Sequence, residues 1–344
     1  MSDAFLELSH LTKRFGDHVA VGDLSLSVPR GAVLALLGPS GSGKTTTLRL
    51  LAGFERPDAG TVAVDGRDVT ALAPAQRCFG MVFQHYALFP HLTVSENVAF
   101  GLAGQGAPAD RDARVTEMLS LVDLGGFGGR QVSELSGGQQ QRIAVARALA
   151  PEPRVLLLDE PLSNLDPSLR ERTRREMRTA LDRVGITTVF VTHEQEEAFA
   201  LGDSVAVLNH GRLEQVGTPP ELYEHPRTLF VATFVGRASV LGGVVTGDGR
   251  VRLDAGVEWP VEAPQELAAG DRASLAVRPE AVRFAEAGLA GTVMERRYTG
   301  ARALFTVRVS GGTVEIEAPA HAVSVGDSVH LDVGRALAFP EEKE

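Results

Sequence analysis

The sequence predicts an α/β fold with a parallel sheet, followed by a second, smaller domain made of β-strands. Two strongly apolar runs, VLLLDE and TTVFVTH, are separated by a helical pattern, as expected for strands buried on both faces of a parallel sheet. A third apolar run leads into a glycine-rich loop and a further helix. After Gly236 the long helical patterns end, and short alternating segments separated by Gly-Asp and Gly-Gly turns replace them.

The chain begins with two alternating segments, FLELSHL and VAVGDLSLSV, which are typical of half-buried strands. The apolar segment Ala32–Leu37 then predicts a buried strand. It is followed by the loop Gly38–Thr45 and by a helix whose apolar face contains Leu48, Leu51 and Ala52. This order of strand, loop and helix is the first unit of the α/β domain.

The middle of the chain alternates between short strands and longer helices. Strands are predicted at Thr61–Gly66, Gly80–Gln84, Val155–Glu160 and Thr187–His193. Helices are predicted over Arg111–Val122, from Ser136 to about Ala150, and from Asp166-Pro167 to Gly185. The apolar face of the last helix comprises Leu169, Thr173, Met177, Leu181 and Val184. Two further pairs match the capping box that begins a helix: Thr192 with Gln195, and Thr218 with Glu221.

The change of pattern near Val235–Arg237 marks the predicted domain boundary. Residues 1–235 form the α/β domain and residues 236–344 the all-β domain. The segments GGVVTGDGRVRLDAG, ALFTVRVSGGTVEIEA and DSVHLDVG alternate as strands do. A domain of this size and pattern is expected to form a small barrel.

The composition limits the classes of function. The 344 residues include 44% hydrophobic and 23% charged residues and carry a net charge of −10, so no basic surface for nucleic acid is expected. The single cysteine, Cys78, cannot form an internal disulfide, which fits a reducing cytoplasm, and a buried thiol is its expected role. Neither a signal peptide nor an apolar run of the ~20 residues needed to cross a bilayer is evident. We therefore expect any role at a membrane to require a partner.

The segment Leu36–Gly53, LLGPSGSGKTTTLRLLAG, contains the pattern G-x-x-x-x-G-K-[ST]. Successive backbone N–H groups of such a loop form an anion site, and the helix that follows directs its N-terminal dipole to the same place. Lys44 adds a compact positive charge for outer phosphates, and Thr45 can offer its hydroxyl to Mg²⁺. The alternative is a glycine-serine loop that only connects a strand to a helix.

A second anion site is indicated by LSGGQQQR, Leu135–Arg142, where Ser136, Gly137 and Gly138 precede a helix. By itself this segment also fits a plain N-cap with a flexible entry. Its position shortly before LLLDE is specific, and together with the phosphate loop it resembles the nucleotide-binding subunit of an ABC transporter. The resemblance extends over the whole chain.

The resemblance implies a P-loop NTPase domain in which an antiparallel β subdomain and a helical subdomain accompany the parallel sheet, followed by an OB-like barrel. It also implies that the chain binds ATP and Mg²⁺ and hydrolyses ATP to ADP and phosphate. The residues that match the nucleotide site are Phe15, Gly38, Ser40, Gly41, Gly43, Lys44, Thr45, Thr46, Gln84, Ser136, Gly137, Gly138, Gln139, Asp159 and Asp166.

The same resemblance assigns individual roles. Phe15 matches the aromatic residue that stacks on adenine, although a core aromatic is the alternative. Thr45, Gln84 and Asp159 match the positions around Mg²⁺, and Gln84 also matches the residue that senses the attacking water. The catalytic positions are Glu160 as general base, His193 as the switch histidine at the γ-phosphate, and Lys44. Asp166 matches the loop that touches a partner subunit, and Asn164 stands where relatives often carry alanine, so little consequence is expected of it.

Partners also follow from the resemblance. The phosphate loop of one copy and the LSGGQ segment of another would hold one ATP between them, so two head-to-tail copies complete two sites. Transmembrane permease subunits would be further partners at the cytoplasmic face of the membrane, and a solute-binding protein would be an indirect one. The candidate permease contacts, which could equally pack beneath the helical subdomain, are Tyr86, Leu88, Phe89 and Pro90. The segment LAVRPEAV, Leu275–Val282, resembles part of the OB-like accessory domain of importer ATPases.

The expected function is therefore an ATP-hydrolysing subunit of a binding-protein-dependent importer. One alternative is an ABC ATPase without a permease, acting on nucleic acid or ribosomes, which the acidic charge and the C-terminal domain disfavour. Another is a regulatory protein that binds ATP without useful turnover, which the presence of both Glu160 and His193 disfavours. The transported solute is not indicated, because this subunit does not touch it in the family's scheme.

Overall fold

Strands and helices alternate in the first part of the chain and give way to strands in the second. The computed structural model describes residues 4–102, 107–247, 249–262 and 267–341. The chain divides into two units, Met1–Glu221 and Leu222–Glu344. This division lies 14 residues before the boundary predicted from the sequence, between residues 235 and 236. That boundary stays a prediction.

The strands of the first unit are β1 (Ala4–Phe15), β2 (His18–Pro29), β3 (Val33–Leu37), β4 (Ala59–Val64), β5 (Arg67–Asp68), β6 (Phe79–Val82), β7 (Val155–Asp159), β8 (Thr187–Thr192), β9 (Ser204–Asn209) and β10 (Arg212–Gly217). Its helices are α1 (Lys44–Ala52), α2 (Pro74–Arg77), α3 (Val94–Ala99), α4 (Pro108–Leu121), α5 (Gly137–Leu149), α6 (Pro167–Val184) and α7 (Gln195–Leu201). The short helix α8 (Pro219–Glu224) includes the point of division.

A six-stranded sheet in the order β10-β9-β3-β8-β7-β6 forms the centre of the first unit. All adjacent pairs are parallel except β9 with β10. Every residue of β3 and β8 is buried, as the continuous apolar runs predict. Because parallel strands end at the same edge of a sheet, the segments that follow β3, β6, β7 and β8 meet at its carboxyl edge.

Two smaller assemblies accompany this sheet and confirm the predicted subdomains. A four-stranded antiparallel sheet has the order β2-β1-β4-β5, and its apolar residues join the same core as those of β3 and α1. The helices α3, α4 and α5 pack on one another as a helical part.

Several local predictions are confirmed and others are wrong. Ser136 caps α5. In the pair Thr218 and Glu221, the Thr218 N–H donates to the Glu221 carboxylate, and the Glu221 N–H donates to the Thr218 hydroxyl. Thr192 is not the N-cap of α7, which is Glu194; its hydroxyl instead donates to Glu197 at 2.7 Å and accepts from the Glu194 N–H. On α6 the ends of the predicted apolar face, Leu169 and Val184, are exposed.

Cys78 is exposed, so the expected buried thiol is wrong. The residue follows the short helix α2 and has a left-handed backbone conformation, with φ of +56°. Cysteine generally prefers the protein interior, but the position of Cys78 at this turn leaves its side chain exposed.

The second unit confirms the all-β prediction apart from the helix α9 (Leu229–Phe234). Its strands are β11 (Ser239–Gly247), β12 (Arg250–Leu253), β13 (Glu258–Pro260), β14 (Arg272–Val277), β15 (Val282–Ala285), β16 (Leu289–Tyr298), β17 (Arg302–Val309), β18 (Gly312–Pro319), β19 (Ser328–Val333) and β20 (Leu337–Pro340). They form two antiparallel sheets, β13-β12-β11-β14-β20 and β15-β19-β16-β17-β18, whose apolar residues share one core around Trp259 and Phe305. Within the described residues no helix is both long enough and apolar enough to cross a membrane.

Arg77 is a buried arginine that ties α1 to the segment before β6. Its guanidinium donates to the carbonyl oxygens of Leu50 and Leu51 at 2.7 and 2.6 Å, and to those of Thr70 and Leu72 at 2.8 and 3.1 Å. Burial lowers the pKa of Arg77, and the nearby carboxylate of Asp68 opposes that shift. The last turn of the helix that follows the phosphate loop is thus held by one side chain.

We expect the Arg77→Met substitution to lower the free energy of unfolding by about 3–5 kcal/mol, because it removes a buried guanidinium that donates to four carbonyl oxygens. Urea unfolding followed by the helical circular dichroism signal measures this loss. Arg67→Met, on the exposed strand β5, is the control and should change the same quantity by less than ~0.5 kcal/mol. Equal losses in the two variants would contradict the role given to Arg77.

Candidate functional site

The loop Gly38–Thr45 connects β3 to α1 at the carboxyl edge of the parallel sheet. Gly41 and Gly43 have left-handed conformations, with φ of +79° and +95°. A Cβ atom at Gly43 would lie 2.3 Å from the Ala20 carbonyl oxygen, and one at Gly38 would lie 2.2 Å from that of Leu208. The backbone therefore packs too tightly at both positions for any residue except glycine.

The N-terminus of α1 carries neither a capping side chain nor an acidic residue in its first turn; all residues of this helix are described. An uncapped helix N-terminus keeps backbone N–H groups for another acceptor. Together with the tight loop before it, this end of α1 has the features of a phosphate site. Ser40 and Gly41 are exposed, and Thr45 and Thr46 are half-buried at the start of the helix.

Lys44 bends back over the loop. Its ammonium group donates to the carbonyl oxygens of Gly38 and Pro39, both at 2.8 Å, and lies 3.4 Å from the Ser42 hydroxyl. Burial lowers the pKa of Lys44, and the negative charge of Glu160 opposes that shift. A buried ammonium group held only by neutral oxygens can exchange them for a phosphate.

Glu160 lies directly after β7 and contacts residues that follow both neighbouring strands. Gln84 Nε2, which comes after β6, donates to Glu160 Oε2 at 2.9 Å. His193 Nδ1, which comes after β8, lies 3.4 Å from Glu160 Oε1. Glu160 has a left-handed conformation, with φ of +44°, and its N–H donates to the Val191 carbonyl at 3.1 Å. Strain of this kind, about 1–3 kcal/mol, is concentrated at functional sites.

Asp159 is the last residue of β7 and is half-buried beside Glu160. Burial raises the pKa of Asp159, the negative charge of Glu160 raises it further, and Arg49 opposes both. Two adjacent carboxylates in a partly buried place favour a bound cation.

The residues fit Mg²⁺ as a group that is bound together with a nucleotide. Among the described residues no cluster of three or more His, Cys, Asp or Glu side chains could hold a metal ion by itself. Thr45, Gln84 and Asp159 offer a hydroxyl, an amide and a carboxylate oxygen, which are the hard ligands Mg²⁺ prefers. Because Mg²⁺ is usually held by few protein ligands together with substrate phosphates, this incomplete set agrees with its chemistry.

Phe15 ends β1 at the hairpin to β2, where it pairs with His18. Its side chain is 49% exposed, so it is not a core aromatic. The Lys13 ammonium lies 5.3 Å from the centre of the ring. An exposed ring is available to stack on a base.

The LSGGQ segment begins α5 with a complete capping box. The Ser136 hydroxyl accepts from the Gln139 N–H at 3.4 Å, and the Gln139 side chain accepts from the Ser136 N–H at 2.9 Å. A Cβ at Gly137 would lie 3.0 Å from Leu165, and one at Gly138 would lie 3.0 Å from Thr173. In the described parts of the chain, no hydrogen bond or ion pair joins this turn to the Gly38–Thr45 loop.

Asp166 is the N-cap residue of α6 and is exposed, with no hydrogen bond from its side chain to the helix. The structure thus brings Lys44, Gln84, Asp159, Glu160 and His193 to one edge of the sheet. Phe15, the LSGGQ turn and Asp166 lie outside that cluster of contacts.

Among the predicted permease contacts, the structure favours the alternative of inward packing for Tyr86, and contact with a permease stays a prediction. Tyr86 is buried, with 5% of its surface exposed, and burial raises the pKa of its hydroxyl to about 12. Leu88 and Phe89 are half-buried and Pro90 is exposed. The exposed aromatic side chains of this region are instead Phe54, Phe83 and Phe100.

Two residues near the site gave no sequence signal of a role. Asn164 contacts the backbone of Gln84, and Arg170 on α6 contacts the Leu165 carbonyl oxygen and Glu194, the residue after His193. Both contacts join segments that are distant in the sequence. Only the folded structure brings them together.

Comparisons with known proteins agree with this geometry. Residues 21–163 match the ABC transporter family, and residues 275–339 match the TOBE domain. A Fe(3+) ions import ATP-binding protein of Pectobacterium atrosepticum is 43% identical over 337 residues, which cover 96% of this chain and 95% of that protein. A spermidine/putrescine import ATP-binding protein of Rubrobacter xylanophilus is 48% identical over 89% of this chain and 84% of that protein.

Two further comparisons extend the result. A sulfate/thiosulfate import ATP-binding protein of Caulobacter vibrioides is 46% identical over 89% of this chain and 90% of that protein. A solved dimeric ATP-binding cassette in a post-hydrolysis state, bound to ADP and Pi, is 32% identical, with a TM-score of 0.54 over 62% of this chain and 98% of that one. With its phosphate loop, its carboxyl-edge residues and its second, all-β unit, the chain belongs to the family of ATP-hydrolysing, ATP-binding subunits of ABC transporters that carry a TOBE domain.

Proposed function

We propose that this chain hydrolyses ATP to energise the import of a solute through a membrane permease, at composite sites formed by two copies of itself. The relatives are import ATP-binding proteins for iron, polyamine and sulfate. Because these names include three solute classes, the proposal concerns the shared ATPase and not one solute. The chain would lie at the cytoplasmic face of the membrane, with a solute-binding protein as an indirect partner.

The observation that carries the proposal is the contact of Glu160 with both Gln84 and His193, at 2.9 and 3.4 Å. A carboxylate held on two sides at the end of β7 is placed to accept a proton from a water molecule. His193 would contact the γ-phosphate, and Gln84 would orient the same water. Since Glu160 also lies within electrostatic range of Lys44, the base and the phosphate site belong to one centre.

Positioning and electrostatics would supply most of the catalysis. Lys44 would leave the Gly38 and Pro39 carbonyl oxygens and neutralise the outer phosphates, while the N-terminus of α1 holds the others. Thr45, Gln84 and Asp159 would hold Mg²⁺, which would supply positive charge against the phosphates. Phe15 would stack on the adenine and fix the opposite end of the nucleotide.

A second copy would complete the site. Among the described residues the LSGGQ turn makes no hydrogen bond or ion pair with the phosphate loop, which is compatible with its use by a partner. In a head-to-tail dimer, Ser136, Gly137, Gly138 and Gln139 of one copy would cover the ATP held by the other. The exposed Asp166 would contact the partner beside it. The dimeric state of the solved ATP-binding cassette, which is bound to ADP and Pi, supports this arrangement.

We assign the permease contact to the exposed aromatic residues near the site. Phe54 and Phe83 are 51% and 40% exposed, and their ring centres lie 6.1 Å apart. Phe100 is 56% exposed and packs against Phe89 with ring centres 4.4 Å apart. Large exposed aromatic side chains are costly in water and enriched at protein interfaces.

Complementation between two defective copies tests the composite sites. One full-length variant carries Lys44→Ala and a purification tag, and the other carries Ser136→Arg. Each alone has two broken sites in a head-to-tail dimer. A mixed dimer has one doubly broken site and one intact site. We therefore expect ATP to promote co-purification of the mixed pair at least fivefold over either variant paired with itself.

The unchanged chain, tagged and untagged, provides the upper limit of association, and omission of ATP provides the background. If each chain contained a complete site, both variants would stay defective and mixing would restore nothing. That result would contradict the composite arrangement while leaving ATP hydrolysis open to a separate assay of phosphate release.

A further inference from the structure

The segment between Glu160 and α6, Pro161–Asp166, forms a folded loop against the catalytic carboxylate. The N–H and hydroxyl of Ser163 donate to the Glu160 carbonyl oxygen at 3.3 and 3.0 Å. The Leu165 N–H donates to the Leu162 carbonyl at 3.1 Å, and both leucines are buried. The loop is therefore anchored by its own backbone and by its apolar side chains.

Asn164 connects this loop to the segment after β6. Its side-chain amide donates to the Gln84 carbonyl oxygen at 2.5 Å and lies 3.3 Å from His85 Nδ1. The Gln84 side chain in turn donates to Glu160 at 2.9 Å. Glu160, Gln84 and Asn164 thus form a closed ring of contacts that returns to Glu160 through Ser163.

Arg170 connects the same loop to the segment after β8. Its Nε donates to the Leu165 carbonyl oxygen at 2.9 Å, and its Nη1 donates to the carboxylate of Glu194. The Glu194 N–H donates to the Thr192 hydroxyl at 3.0 Å. The two residues that flank His193 are therefore fixed to each other, and through Arg170 they are fixed to the loop.

We propose that Asn164 and Arg170 are positioning residues, which use the Pro161–Asp166 loop to hold Gln84 and His193 on opposite sides of Glu160. This inference rests on the proposed ATP hydrolysis. From the sequence alone Asn164 is expected to have little consequence, whereas its two contacts give it a role in this chain. Among the described residues, neither Asn164 nor Arg170 makes a hydrogen bond or ion pair with the phosphate loop. Turnover should therefore depend on both residues, and ATP binding should not.

The magnitude follows from the geometry of catalysis. A displacement of about 1 Å in a catalytic group can cost ~100-fold in rate. Losing one of several supports should move Gln84 or His193 by less than that. We therefore expect a decrease in kcat of about tenfold for each residue.

Two substitutions test Asn164. Asn164→Ala removes the side chain, and Asn164→Asp keeps its size but replaces the amide donor by an acceptor. If the hydrogen bond to the Gln84 carbonyl is the reason for the role, both variants should lower kcat about tenfold and leave the dissociation constant for ATP within twofold. Phosphate release by the full-length chain and binding of a fluorescent ATP analogue measure the two quantities.

Two variants of α6 test Arg170. Arg170→Met should lower kcat about tenfold, and Arg170→Lys should recover part of it, because lysine keeps the charge that faces Glu194. Arg178→Met is the matched control, since Arg178 lies on the same helix and donates to the Leu201 carbonyl at 2.6 Å and to Asp203 at 2.8 Å, at the other end of α7. It should lower the unfolding midpoint as Arg170→Met does and leave kcat within twofold.

Three results would overturn the inference: kcat within twofold of the unchanged chain for Asn164→Ala and Arg170→Met, an equal fall in kcat for Arg178→Met, or weaker ATP binding with kcat retained. Glu160→Gln measured alongside separates this from the proposed function. If Glu160→Gln abolishes turnover while the positioning variants do not change it, only the positioning fails. If Glu160→Gln turns over ATP like the unchanged chain, the proposed function fails and the positioning with it.

Discussion

Glu160→Gln is expected to lower ATP turnover by about 1,000-fold and to leave ATP binding within about threefold. Glutamine has the size of glutamate and can still accept the hydrogen bond from Gln84 Nε2, but it cannot accept a proton from water. A general base contributes about 10²- to 10⁴-fold to a rate, and no other carboxylate contacts both Gln84 and His193 among the described residues. Phosphate release under saturating ATP measures the loss.

A second effect of the same substitution follows from charge. The carboxylate of Glu160 raises the pKa of Asp159 and opposes the lowering of the pKa of Lys44. Removing that charge should make Asp159 easier to ionise and reduce the repulsion that a bound polyphosphate meets. We therefore expect the ATP-bound, non-hydrolysing protein to accumulate as a dimer, which size-exclusion chromatography in ATP would detect.

The control for this prediction is Glu171→Gln, on the exposed side of α6 where Glu171 pairs with Arg175. It removes one carboxylate of the same kind and should change turnover by less than twofold. Phosphate release from Glu160→Gln at more than a tenth of the unchanged rate would show that another group accepts the proton. Equal loss of turnover in both variants would attribute the effect to net charge.

The sequence was sufficient to locate the strands that build the site. Continuous apolar runs predicted the bounds of β3, β7 and β8 within one residue, because a strand buried on both faces is apolar along its whole length. Parallel strands end at one edge, so the residues that follow those strands meet there. The strand order β10-β9-β3-β8-β7-β6, which makes Gln84 and His193 the two neighbours of Glu160, does not follow from periodicity.

Contacts within the site were harder to predict because they join distant segments. Asn164 and Gln84 are separated by 80 positions, and no local pattern marks such a pair. The burial of Tyr86 was hard to predict for a different reason. An apolar segment after a strand can pack inward or face a partner, and the sequence has the same composition in both cases.

The second unit shows the same limit. Alternation and glycine turns predicted β11, β12, β17, β18 and β19, whose apolar residues join the core around Trp259 and Phe305. Pairing between adjacent strands, such as β17 with β18, follows from a short turn. The strand β14 pairs with β11 and β20, which are distant from it in the sequence. The sequence pattern does not indicate which residues face each other in such pairs.

Lys44→Ala is expected to weaken ATP binding by at least 100-fold and to abolish measurable turnover. Lys44 is 6% exposed, and among the described residues its ammonium group donates to the Gly38 and Pro39 carbonyls and to the Ser42 hydroxyl. A charge-assisted contact between such a buried ammonium and a phosphate is about twice as strong as a neutral hydrogen bond. A 100-fold loss corresponds to about 2.8 kcal/mol, which the loss of two such contacts supplies. Titration with a fluorescent ATP analogue measures the change.

Stability must be separated from binding in this variant, because alanine also removes the hydrogen bonds that Lys44 donates to the Gly38 and Pro39 carbonyl oxygens. Thr47→Val is the matched control, since the buried Thr47 hydroxyl donates to the Gly43 carbonyl at 2.9 Å on the same helix. It should lower the free energy of unfolding by about 1 kcal/mol and keep the dissociation constant for ATP within threefold. Lys44→Arg keeps the charge on a larger planar group, so a tenfold loss there beside a 100-fold loss in alanine would show that the compact ammonium matters as well as its charge. ATP binding to Lys44→Ala with unchanged affinity would place the phosphates elsewhere than this loop.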